Sequence, residues 1–208
     1  MIRDEDEARD FCRERCDPGG MERLETFVRR LARESSKQNL VSKPSLDEVW
    51  TRHIADSLQL LDHVPRETGL WLDLGSGAGL PGLVIAAAQP SLELFLVEAR
   101  RKRVEWLRSM ARDLGLACCT VIAGRVETME PVPVQIISAR AFAPLGKLLS
   151  LGERFSTHST VWVLPKGQSG AQELSEQSPA VRSMFHVEQS VTSDTAKILV
   201  GEGRPILK

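Results

Sequence analysis

The chain has 208 residues, enough for one α/β domain with a modest extension, and its 42% hydrophobic and 26% charged residues are those of a globular protein. The net charge of −1 removes any global basic field, so a nucleic-acid surface would have to be local. An acidic start (Met1-Ile2-Arg3-Asp4-Glu5-Asp6-Glu7) and the lack of a long apolar run argue against a targeting peptide or membrane span, and point to a cytoplasmic protein.

The first 20 residues are mostly charged and end in the helix stop Asp17-Pro18-Gly19-Gly20. Leu24, Phe27, Val28 and Leu31 then repeat at helical spacing through Ser36. Pro44 opens a further predicted helix, with Ser45 as cap and Glu48 completing a capping box. Val49, Trp50, Ile54, Leu58 and Leu61 lie on one side, and the helix stops near Pro65. Residues 1–65 therefore read as an N-terminal helical extension to a domain spanning 66–208.

From Leu70 strands and helices alternate, as in a parallel sheet with crossovers. Strands are expected at Trp71–Leu74, Leu92–Val97, Ala117–Ala123, Val134–Ser138, Thr160–Leu164, Val187–Val191 and Lys197–Val200. Helices follow the first two, one running to Gln89 and the other from Arg101 to Leu114. The four cysteines lack zinc-site spacing, and no metal site is expected.

The first strand runs into Gly75-Ser76-Gly77-Ala78-Gly79-Leu80-Pro81-Gly82 and then a helix. A strand turning through glycines into a helix makes a nucleotide-type site. The dinucleotide spacing fails because its third glycine would fall on Leu80. Asp73-x-Gly75-x-Gly77-x-Gly79 instead resembles the first motif of class I S-adenosyl-L-methionine-dependent methyltransferases, and Asp73 suits the amino group of a methionine. Glu98, 23 residues beyond Gly75 at a strand end, suits a pair of ribose hydroxyls. The Gly124-Arg125-Val126-Glu127 loop lies where an adenine edge could be read. Arg140 and Phe142 follow the fourth strand, and Lys166 the fifth, on the face where ligands gather. Arg100, Arg101, Lys102, Arg103, Arg108 and Arg112 form the densest basic cluster, and cations at a helix start oppose its dipole. His53 and Asp56 stand three apart on one helix. These residues alone leave three readings open: an RNA methyltransferase, a methyltransferase for a small molecule or protein, and a non-catalytic nucleotide-binding module.

Several stretches together resemble the bacterial 16S ribosomal RNA (guanine-N7)-methyltransferase family, RsmG or glucose-inhibited division protein B. They are Asn39-Leu40-Val41-Ser42, Arg52 to Ser57, Asp73 to Gly82 with its Gly-Leu-Pro-Gly ending, Lys102 to Leu107, Arg125 to Glu127, Arg140 to Phe142, and Lys166-Gly167. The resemblance implies a Rossmann-like seven-stranded sheet, S-adenosyl-L-methionine as cofactor, and 16S RNA or the 30S subunit as partner of a monomeric enzyme. It places Gly75, Gly77, Leu80, Glu98, Val126, Glu127 and Arg140 at the cofactor, with Arg140 also at the reaction centre. Arg101, Arg103 and Lys166 fall to RNA phosphates, while Asn39 and His53 brace the extension. The sequence departs from the family in Ser36-Lys37-Gln38, where aromatic residues are common, and at Gln135, where aspartate is.

Overall fold

The computed structural model describes residues 1–207. Seven strands form one sheet in the order β3-β2-β1-β4-β5-β7-β6. They are β1 (Trp71–Leu74), β2 (Leu94–Glu98), β3 (Cys119–Ala123), β4 (Ile136–Ser138), β5 (Val161–Lys166), β6 (Phe185–Gln189) and β7 (Lys197–Glu202). β1 to β5 pair in parallel, and β7 enters antiparallel between β5 and β6. The order reverses at β1, so the carboxyl ends of β1 and β4 flank a topological switch point, where open α/β sheets bind ligands.

Both sheet faces are covered, and β1 shows how two residues of a strand serve two layers. Trp71 packs into a core with Leu24, Phe27, Leu31, Trp50 and Leu58 of the N-terminal helices. Leu72 and Leu74 face the opposite layer with Leu148, Phe155 and Trp162. Asp73 shares the Trp71 face, and burial carries its carboxyl into the interior with no exposed area.

The helices are α1 (Glu5–Arg13), α2 (Gly20–Ser35), α3 (Lys43–Leu46), α4 (Asp56–Leu58), α5 (Gly82–Ala88), α6 (Arg101–Asp113), α7 (Leu145–Gly152), α8 (Gly170–Ser175) and α9 (Pro179–Met184). The strands observed lie within two residues of the predicted starts and ends, and α7 to α9 are additions. The single helix expected from Pro44 to Pro65 is replaced by α3, a π-helical turn (Trp50–Ala55), α4 and a 3-10 turn (Gln59–His63). The proposed Ser45 cap is corrected with it: Ser42 is the N-cap, and the Ser45 hydroxyl donates back to the Ser42 carbonyl at 2.7 Å.

A distant residue satisfies the start of the π-helical turn. The Trp50 and Thr51 N–H groups donate to the two carboxylate oxygens of Glu5 on α1, at 2.9 and 2.8 Å. Arg9, one turn further along α1, lies over the Trp50 ring at 4.3 Å. The interrupted helix is thus held from outside rather than by its own sequence.

Candidate active site

A cleft of about 1810 Å³ opens above the carboxyl ends of β1, β4 and β5. Its walls are the glycine loop (Gly75, Gly77, Ala78, Leu80), Arg103, the Arg140–Pro144 loop, Lys166, Leu40 to Ser42, and the π-helical turn with Arg52 and His53. Pockets for one small ligand occupy roughly 300–1,000 Å³, so this cleft has room for more than a cofactor.

Gly75 and Gly77 both adopt the left-handed conformation, with φ of 70° and 55°. They need glycine for different neighbours. A Cβ on Gly75 would overlap the Phe142 ring, whereas one on Gly77 would project beside Arg103, 3.4 Å from Nη1. The Gly77 N–H donates to Glu98 Oε2 at 3.0 Å, and the Arg100 N–H donates to Glu98 Oε1 at 2.8 Å. A carboxylate has about four acceptor sites, so Glu98 keeps capacity for hydroxyl donors beside the loop. These features fit a nucleoside with an amino-acid tail: a bare backbone cradle, a carboxylate at its edge and a cation over it.

Asp73 corrects the sequence reading. Its carboxylate does not reach the cleft; Oδ1 accepts the Ser138 hydroxyl at 2.7 Å, and Ser138 Oγ in turn accepts the Trp71 indole N–H at 2.8 Å. Burial raises the Asp73 carboxyl to about 6, against the lowering effect of the Ser138 bond. Asp73 therefore ties β1 to β4 beneath the site through Oδ1, while Oδ2 is buried without a hydrogen-bond partner.

Arg140 is held by the N-terminal segment. Nη1 lies 3.1 Å from Asp56 Oδ2, and Nη2 donates to the Arg52 carbonyl at 3.3 Å and to His53 Nδ1 at 3.0 Å. Because a guanidinium only donates, Nδ1 is the accepting nitrogen and Nε2 carries the proton. Nε2 then donates to Ser45 Oγ at 2.9 Å, and Ser45 donates to the Ser42 carbonyl. Burial, followed by the charges of Arg140 and Arg52, lowers the imidazole to about 4. Burial also raises Asp56 against the opposing pull of Arg140 and the Thr192 and Gln59 donors. The neighbouring residue, Ala141, is the one non-glycine with positive φ, at 51°, among the described residues.

The remaining expected residues are dispersed. Leu80 lines the cleft, while Val126 is buried in the layer with Val97, and exposed Glu127 pairs with Arg125 at 3.1 Å. Neither Val126 nor Glu127 reaches the cleft wall. Arg101 is exposed and pairs with Glu105 at 2.9 Å. Lys166 donates to Glu173 Oε2 at 2.8 Å and to the Ala143 carbonyl at 3.2 Å, so it secures the Arg140 loop. Asn39 is exposed and does not line the cleft. Glu5, which holds the π-helical turn, and Glu173, which holds Lys166, had no signature in the sequence. No group of His, Cys, Asp and Glu suited to a metal ion occurs among the described residues, and no described helix is long and apolar enough to cross a membrane.

Residues 20–199 match the family model described as GidB, rRNA small subunit methyltransferase G. The chain belongs to this family. Within it, the chain is 63% identical over 204 residues to the ribosomal RNA small subunit methyltransferase G of Erythrobacter litoralis, covering 98% of this chain and 99% of that one. It is 52% identical to the same-named protein of Novosphingobium aromaticivorans, covering 89% and 81%. Among solved structures, a methyltransferase from Geobacter sulfurreducens superposes with a TM-score of 0.60 at 16% identity, over 86% of this chain and 89% of that one. A variant of MtNAS in complex with S-adenosylmethionine gives 0.54 at 15% identity, over 87% and 76%. At such identities these two structures speak for the fold alone.

Proposed function

We propose that the protein transfers a methyl group from S-adenosyl-L-methionine to N7 of a guanine in the 16S RNA of the small ribosomal subunit. Family membership supports the reaction, and the cleft carries it to this chain: its volume exceeds what a cofactor fills, and its floor is the glycine loop. Bound S-adenosyl-L-methionine supplies an electrophilic methyl group on a sulfonium. Gly75, Gly77, Leu80 and Glu98 would hold it. Arg140 acts where cofactor and target base meet, and Arg101 serves RNA phosphates. The protein acts as a monomer in the cytoplasm, where its ribosomal substrate is found.

Guanine N7 has an in-plane lone pair and no proton, so the chain need not supply a base. Its task is positioning, which can contribute roughly 7–11 kcal/mol when geometry is good. His53 is consistent with that division. With an imidazole at about 4, it stays neutral through pH 6–8 and its free lone pair is already spent on Arg140. It sets the orientation of Arg140 and abstracts nothing.

Single-turnover transfer of labelled methyl to RNA in 30S subunits tests this reading. Label is expected in the small-subunit RNA, at a rate that stays level from pH 6 to pH 8. No transfer to that RNA, or a rate climbing tenfold per pH unit, would refute it.

A further inference from the structure

We propose that Arg103 is the counter-ion for the α-carboxylate of the bound cofactor, rather than a contact to RNA phosphate. This rests on the reading of S-adenosyl-L-methionine as methyl donor. Arg103 differs from its neighbours on α6 in orientation. Arg101 and Lys102 are exposed, but Arg103 is half-buried and lines the cleft, with Nη1 3.4 Å from the place a Cβ on Gly77 would take. Its guanidinium has no hydrogen bond or ion pair among the described residues. Of the other side-chain cations lining the cleft, Arg140 is paired with Asp56, Lys166 with Glu173, Arg3 with Glu7 and Arg52 with Glu48, and Lys197 donates to the Gln189 amide oxygen.

The glycine loop itself offers an anion little. Its Ser76 N–H donates to the Val97 carbonyl, the Gly77 N–H to Glu98, and the Gly79 and Leu80 N–H groups to the Ser76 carbonyl. Glu98 moreover places a negative charge beside the loop. A carboxylate entering here needs a cation that the backbone does not replace, and Arg103 is the one poised over it. A guanidinium near the start of α6 is also disfavoured by the helix dipole, a cost that a bound anion would offset. A planar fork facing a carboxylate is the geometry in which arginine binds best.

Calorimetric titration of the full chain provides the test, using S-adenosyl-L-methionine, S-adenosylhomocysteine and decarboxylated S-adenosylmethionine, which keeps the sulfonium and amine but lacks the carboxylate. Arg103→Gln should weaken the first two at least tenfold, leave the decarboxylated ligand unchanged, and leave the salt dependence of RNA binding unchanged. Arg103→Lys, a second variant that keeps the charge, should recover part of the loss. Equal weakening of all three ligands, or none, would overturn the assignment, as would a lower salt slope for RNA with cofactor affinity intact. Failure of the wild-type protein to bind S-adenosyl-L-methionine would overturn the cofactor reading itself, which separates the two.

Discussion

Replacing His53 with Gln should change how stability depends on pH more than it changes stability at neutral pH. In the unfolded chain this histidine protonates near 6.5, whereas the folded protein resists protonation until about 4. Between those values the unfolded state binds more protons, so His53 withdraws stability from the wild type as pH falls. The interval corresponds to about 3 kcal/mol at 1.36 kcal/mol per pH unit. Glutamine can accept from Arg140 and donate to Ser45 without titrating. Asp73, held up at about 6, acts in the opposite sense, gaining stability as pH drops through that value, but it is common to both proteins. Urea unfolding followed by tryptophan fluorescence at pH 7.5, 6, 5 and 4.5 should show the gap between wild type and His53→Gln moving in the variant's favour by about 2–3 kcal/mol. Curves that stay parallel across this range would mean that His53 is not a buried neutral acceptor, and the geometry assigned to Arg140 would fail with it.

Gly75→Ala should cost about 3 kcal/mol, from about 1–2 for a left-handed non-glycine residue plus overlap with Phe142. Thermal unfolding would show it, and pairing the change with Phe142→Ala should return only the overlap portion; full stability in the single variant would contradict the packing described. Changing Arg101, Arg108 and Arg112 together to Ala should lower the salt slope of RNA binding by about 0.7–0.9 for each phosphate that is no longer neutralised. An unaltered slope would leave those cations as a solvated helix face.

The strands of the sheet were legible because each is a short apolar run bounded by turns, and the glycine loop because its backbone needs leave a mark on residue type. Trp71–Leu74 was predicted residue for residue. The extension was harder. Its apolar spacing suits a helix throughout, but Glu5 takes the Trp50 and Thr51 N–H groups from 45 and 46 positions away, and this tertiary cap permits a π-helical turn that local pattern cannot encode. Short helices α8 and α9 carry too few apolar residues to show a period.

At the site, sequence located residue types on the correct edge of the sheet but not their partners. Lys166 and Arg103 both read as cations for RNA phosphates. One is tied to Glu173, seven residues later in α8, and the other is turned onto the glycine loop. Asp73 read as a ligand because a carboxylate just before the turn suits the amino group of a methionine. Here a serine on the adjacent strand, Ser138, draws its carboxylate inward. Such choices are made by neighbours on other elements, and a single chain read in order does not contain them.

The central claim is the identity of the methylated atom, and nucleoside analysis of the product tests it most directly. Small-subunit RNA from 30S particles, treated with the purified protein and labelled S-adenosyl-L-methionine, would be digested to nucleosides and separated by chromatography with mass detection. The account predicts that the label is recovered as 7-methylguanosine and that Arg140→Ala removes it. Label in any other nucleoside, or 7-methylguanosine that persists in the Arg140→Ala reaction, would contradict it.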